Sequence, residues 1–168
     1  MDERARELER LYREDGPAVW EYVRRRLPDA HAAEEVFQEA FLTVAADWQG
    51  LAAASSARAG LIGIARNLMR EQQRSAVRHA ATALNDEHAG AVPPGEDPRL
   101  EAMRRAIARL PEVQREVLEL RLSQDLTYAE IAEALAIPVG TVRSRLHHAV
   151  AALRRWAAEA GTIAALKV

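Results

Sequence analysis

Apolar residues along the chain recur at spacings of three and four, and period-two alternation is nowhere convincing, so the pattern predicts helices throughout. They fall near residues 3–26, 30–48 and 56–79 and, after a break, near 98–109, 112–122, 127–135 and 139–159. In the second, Val36, Phe37, Ala40, Phe41, Val44 and Trp48 form one apolar stripe, leaving Glu34, Glu35, Gln38 and Leu42 outside. The third turns Leu61, Ile64, Ala65 and Leu68 inward, while Arg66, Arg70 and Arg74 stand at i, i+4 and i+8 on the outer face beside Asn67 and Arg78. The break at 80–97 has no apolar period, and Pro93-Pro94 favours extended backbone, so it reads as a flexible acidic linker. The expected architecture is all-α, with two small helical domains: an N-terminal one over 1–79 and, beyond the 80–97 linker, a four-helix one over 98–160, followed by a tail over 161–168. The second core is expected to hold Ile107, Leu110, Val117, Leu120, Ile131, Leu135, Val142, Leu146 and Leu153.

Residues 125–155 carry the sharpest local signal. Thr127 followed by Glu130 is a capping box, and Ile131, Ala132 and Leu135 supply the buried stripe of a short helix. Ala136, Ile137 and Pro138 interrupt the pattern, and Pro138 can open the next helix because a first-turn residue has no N–H partner to lose. In that next helix Val142, Leu146, Ala149, Val150 and Leu153 share one face. Opposite them fall Gly140, Thr141, Arg143, Ser144, His147, His148, Ala151, Arg154 and Arg155, with Arg145 at the margin. Two short amphipathic helices joined by a tight turn make a helix-turn-helix, and Arg, Ser, Thr and His can reach phosphates and base edges. A solvated basic helix closing a bundle would show the same wheel.

The formal net charge of −2 gives no strong overall field toward nucleic acid, but the charges come in blocks. Residues 28–50 hold five acids and no base, 54–80 five bases and one acid, 81–101 five acids and one base, and 139–168 five bases and one acid. Lys167 is the only lysine. Arginine suits planar phosphate and base contacts, although a GC-rich genome produces the same bias. The arginine stripe of the third helix and the exposed Leu42 among acids are each open to two readings, a binding surface or an ordinary solvated face.

Other chemistry is poorly supported. The chain has no cysteine, so disulfides and thiolate metal sites are excluded. There is no Gly-rich phosphate loop, and the five histidines, His31, His79, His88, His147 and His148, lack metal-ligand spacing; His31 near Glu34 and Glu35 is the nearest approach. No enzyme, cofactor or metal is expected. The absence of a signal peptide or long apolar run points to the cytoplasm, without membrane insertion.

Three stretches together carry a family resemblance: AEEVFQEAF at 33–41, GLIGIARNL at 60–68, and LPEVQREVLEL through GTVRSRL between 110 and 146. They resemble the two domains of the extracytoplasmic-function sigma factors, promoter-specificity subunits of bacterial RNA polymerase within the sigma-70 family. The resemblance implies that Glu34, Glu35, Gln38 and Leu42 dock on the clamp of the largest subunit of core RNA polymerase. It also implies that the loop 49–59 and the third helix engage the minus-ten element as it opens, with Arg66, Asn67, Arg70 and Arg74 as a cationic track and Trp48 either in a stacking wall or in the core. Gly140, Thr141, Arg143, Ser144, Arg145, His147 and His148 would face the minus-thirty-five element as duplex. The linker, with Asp86, Glu87, Glu96 and Asp97, would thread toward the polymerase active centre, and an anti-sigma factor would hold the protein inactive. The chain departs from the family pattern at Gly60, where a Trp is usual, at Glu71 and Ser75, where an Asp and an Arg are usual, and at His148 and Val150, often Arg.

The alternatives are a stand-alone dimeric helix-turn-helix regulator binding operator DNA unaided, and a helical adaptor with no DNA role. The sigma reading instead implies a monomer outside its complexes, whose weak affinity for promoter DNA rises when polymerase holds both domains at the right separation.

Overall fold

A computed structural model describes the backbone of residues 3–79 and 98–159 and the side chains of 3–75 and 100–158. The linker 80–97 with Asp86, Glu87, Glu96 and Asp97, the tail 161–168 and the Arg78 side chain lie outside the described residues. Nine helices make up the described structure: α1 Glu3–Glu14, α2 Gly16–Arg24, α3 Ala30–Ala46, α4 Trp48–Ala52, α5 Ala57–His79, α6 Pro98–Ala108, α7 Glu112–Leu122, α8 Tyr128–Leu135 and α9 Val139–Glu159. The chain divides into two compact units, one containing α1 to α5 and the end of α8 from Glu133, the other α6, α7, α9 and the start of α8.

The expected first helix is two. Asp15, Gly16 and Pro17 break it, because Pro17 has no N–H to donate to the preceding turn and suits the first turn of a new helix. The break turns α2 onto α3, where Val19, Tyr22 and Val23 are buried. It is tied to the first turn of α5 by Arg58 Nε, which donates to Asp15 Oδ1 at 2.8 Å. Five residues of the expected loop 49–59 and its approach also differ, since α4 occupies Trp48–Ala52, started by Asp47 accepting from the Gly50 N–H at 3.0 Å.

α3 buries Ala33, Val36, Phe37, Ala40, Phe41 and Val44 as its pattern predicts, whereas Trp48 opens α4 and is only half-buried. On α5 the buried set is Ala59, Leu61, Ile62, Ala65 and Met69, while Ile64 and Leu68 are half-buried. α5 carries two overlapping apolar stripes, and packing against α2 and α3 selects the one through Ile62 and Met69. Aromatic rings fill the other side: Phe37 lies 5.6 Å from Tyr12, 5.5 Å from Trp20 and 5.1 Å from Phe41, edge-on or tilted. Gly60 lets α4 close on α5, because a Cβ there would stand 2.7 Å from Leu51 Cδ1 and 3.1 Å from Ala54 Cβ. Any side chain at this position would have to displace Leu51 and press on Ala54.

In the second unit Leu110, Val117, Leu118, Leu120, Leu126, Ile131, Val142, Leu146, Ala149 and Ala152 are buried; Leu135, expected in this core, is buried as well but groups with the first unit. Full burial of one such branched side chain contributes roughly 1.5–3 kcal/mol. Ile107 and Leu153, expected in this core, are half-buried; near the end of α9 the small Ala152 is covered and the larger Leu153 keeps part of its surface outside. The capping box of α8 is formed, with the Thr127 N–H donating to Glu130 Oε2 at 2.7 Å and the Glu130 N–H to Thr127 Oγ1 at 3.3 Å. α8 ends in a Schellman motif: the Ile137 N–H donates to the Ala132 carbonyl at 2.9 Å and the Ala136 N–H to the Glu133 carbonyl at 3.0 Å. Ala136 accordingly sits at φ 52°, a left-handed conformation that costs a side chain-bearing residue about 1–2 kcal/mol. Pro138 stands just before α9, and its carbonyl accepts from the N–H groups of Thr141 and Val142 at 2.9 and 3.2 Å.

Candidate nucleic-acid interface

α9 presents the recognition face of the helix-turn-helix, and its rotation is set by the burial of Val142, Leu146 and Ala149. That burial leaves Gly140, Arg143, Ser144, His147 and His148 exposed, with Thr141 and Arg145 half-buried at the edges. No described side chain forms an ion pair with Arg143 or Arg145. The His147 and His148 rings lie edge to face with centroids 5.8 Å apart. At Gly140 a side chain would meet nothing within 4 Å, so no internal packing requires glycine there, and the bare backbone is open to an approaching surface. A surface of Arg, Ser and His standing unpaired around an exposed helix start can bind a groove of duplex DNA.

The arginine stripe of α5 is less uniform than its spacing suggests. Asn67, Arg70 and Arg74 are exposed, and no described side chain forms an ion pair with either arginine, but Arg66 is half-buried and already takes part in an interaction inside the protein. On α3, Glu34, Glu35 and Gln38 are exposed and Leu42 is 61% exposed. Gln38 Nε2 donates to Glu34 Oε1 at 3.2 Å, and His31 Nε2 lies 3.7 Å from Glu35 Oε1.

Packing adds to this surface. Glu35, Gln38 and Leu42 line a groove of about 540 Å³ between α3 and α5, together with Val36, Glu39, Leu68, Glu71, Gln72 and Ser75. Of the newly found members, Leu68 carried a sequence signal as an apolar residue of α5, and its half-burial is what leaves it available. Glu71, Gln72 and Ser75 could not be assigned from the periodicity of either helix alone.

Residues 11–79 match Sigma-70 region 2, and residues 100–153 match Sigma-70, region 4. Over 160 residues the chain is 34% identical to the ECF RNA polymerase sigma factor SigL of Mycobacterium tuberculosis, an alignment covering 90% of this chain and 89% of that protein. The chain belongs to the extracytoplasmic-function sigma factors. The sigma factor is also 30% identical over 143 residues to the RNA polymerase sigma factor HrpL of Pseudomonas syringae pv. syringae, covering 80% of this chain and 78% of that one. Its fold matches that of the sigma factor RpoE in a co-crystal structure from Bartonella quintana, with a TM-score of 0.68 at 21% identity, over 90% of this chain and 94% of that chain. Its function is that of an RNA polymerase sigma factor in transcription initiation, and a stand-alone dimeric regulator is not favoured. No described helix is long and apolar enough to cross a membrane.

Proposed function

We propose that this sigma factor divides promoter recognition between three surfaces, carried by a first domain over 1–79 and a second over 98–160. The exposed face of α9, with Gly140, Thr141, Arg143, Ser144, Arg145, His147 and His148, binds the minus-thirty-five element as duplex. Arg66, Asn67, Arg70 and Arg74 on α5 follow the phosphates of the minus-ten element as it opens; Asn67, Arg70 and Arg74 make the direct contacts, and Arg66 shapes the base of the track. Glu34, Glu35, Gln38 and Leu42 on α3 dock on the clamp of the largest polymerase subunit, with the groove wall at Leu68 and Glu71 enlarging the contact.

The observation that carries this reading is the exposed set of Arg143, Ser144, His147 and His148 on one helix face, with no ion pair to any described side chain. The exposed acids of α3 suit a basic or donor-rich partner, which supports the docking assignment. Catalysis belongs to the polymerase, so the chain itself is not an enzyme and uses no cofactor. It acts in the cytoplasm, where transcription takes place, and is a monomer outside its complexes. An anti-sigma factor that covers the α3 surface would hold it inactive; RpoE of Bartonella quintana, of the same fold, was crystallised with the anti-sigma factor NepR.

Run-off transcription tests the whole reading. The purified protein is added to core polymerase on a fragmented genomic library and the transcripts are sequenced. Discrete start sites that depend on the protein are expected, with a shared upstream motif. Unaided binding of duplex DNA without core binding would reject it.

A further inference from the structure

We propose that the C-terminal half of α9 holds a second, sequence-independent DNA site, in which Arg154 and Arg155 bind the phosphate backbone of duplex flanking the minus-thirty-five element. The proposal rests on the reading that the exposed face of α9 meets duplex DNA, and extends it to residues that this reading leaves idle.

α9 runs unbroken from Val139 to Glu159, far longer than a groove-reading helix needs. Gly140 to His148 spans about 12 Å at 1.5 Å per residue, which is roughly the width of the major groove. Arg154 and Arg155 lie a further 9–11 Å or so along the axis, which in a helix set across the groove carries them past it to the neighbouring backbone. Rotation favours the same partner. Eleven residues turn a helix through about three full turns plus 20°, so Arg154 stands nearly above Arg143 and Arg155 nearly above Ser144. Both are exposed, and no described side chain pairs with either.

The charge around them points the same way. Along its length α9 carries Arg143, Arg145, Arg154 and Arg155 against a single acid, Glu159, at its end. A guanidinium fork facing solvent is suited to bidentate phosphate binding. Because the two arginines continue the face that meets duplex, flanking DNA is the partner chosen here over an acidic protein surface.

The test uses holoenzyme assembled from the full chain and core polymerase. Its affinity is measured over a salt series for two labelled promoter duplexes, one extending about 20 base pairs upstream of the minus-thirty-five element and one ending at its edge. On the long duplex, Arg154→Ala/Arg155→Ala should weaken binding and lower the slope of log affinity against log salt by about 1.8, two phosphates at about 0.9 each. On the short duplex the variant and the wild type should be equal. Arg154→Lys/Arg155→Lys keeps both charges and should restore the slope, which a folding defect would not allow.

Equal weakening on both duplexes would overturn the proposal, since the residues would then act on the element or the fold. Unchanged affinity with lost transcription would overturn it in favour of an acidic protein partner. The underlying reading fails separately: Arg143→Ala without effect on either duplex rejects the recognition face and leaves the comparison of duplex lengths intact.

Discussion

In the first unit the groups proposed to meet polymerase and the opening promoter stand on two helices, α3 and α5, and the groove between them draws residues from both. In the second unit a single helix, α9, presents its whole face by itself. The two arrangements have different tolerances. A face on one helix depends on that helix's rotation, which three buried residues, Val142, Leu146 and Ala149, are enough to set. A groove depends on the distance and rotation of two helices at once, so any change in the core beneath it moves both walls. A core change in the first unit should therefore disturb two functions together, while changes on α9 should act one contact at a time.

The largest effect is expected for Leu61→Ala. Leu61 is fully buried under the α3–α5 layer, and its truncation should cost about 2–5 kcal/mol of stability in urea unfolding. Polymerase docking and minus-ten engagement should fall together. Loss of one with the other intact would break the view that one core supports both.

Arg143→Ala comes next. It should weaken promoter binding by about 1–3 kcal/mol if the guanidinium contacts a base edge bidentately, with the loss confined to promoters carrying one particular base. A uniform loss across all sequences would reassign Arg143 to phosphate.

Leu42→Asp sharpens the contrast from the other side. Leu42 is 61% exposed, so stability should change by less than about 1 kcal/mol. Binding to core polymerase should nevertheless weaken about tenfold, or about 1.4 kcal/mol. Normal holoenzyme formation would remove Leu42 from the docking surface.

The smallest effects concern the supports of the recognition helix. Thr127→Ala removes the capping box and should cost about 1 kcal/mol. Ala136→Gly should instead stabilise by about 0.5–1 kcal/mol, because glycine relieves the left-handed strain at φ 52° and returns only part of that gain as backbone entropy. Thermal unfolding of the two variants in opposite directions would confirm that the turn between α8 and α9 is held at its start and strained at its end.

Much of this was legible before any coordinates. Helix content, the capping box at Thr127 and the outward face of α9 all follow from periodicity and local chemistry, since each depends on residues within a turn or two of one another. Other features were not. The chain reads as one helix over 3–26, yet Asp15, Gly16 and Pro17 divide it, because the apolar period runs on across Pro17 and hides the local break that its missing N–H imposes. The short α4 was missed since five residues are too few to show a period.

The sequence by itself determined that this protein is helical, that two basic and two acidic blocks alternate along it, and which family it resembles. Those properties are local, written in side chains a few residues apart. Only the tertiary structure decided which of the two apolar stripes of α5 is buried, that Arg66 is partly withdrawn from the cationic track, and that Gly60 is a seat for Leu51. It also brought Leu68 and Glu71 to the groove beside Leu42. These are consequences of helices distant in the chain pressing on one another, and close packing between them selects one rotation where periodicity allows two.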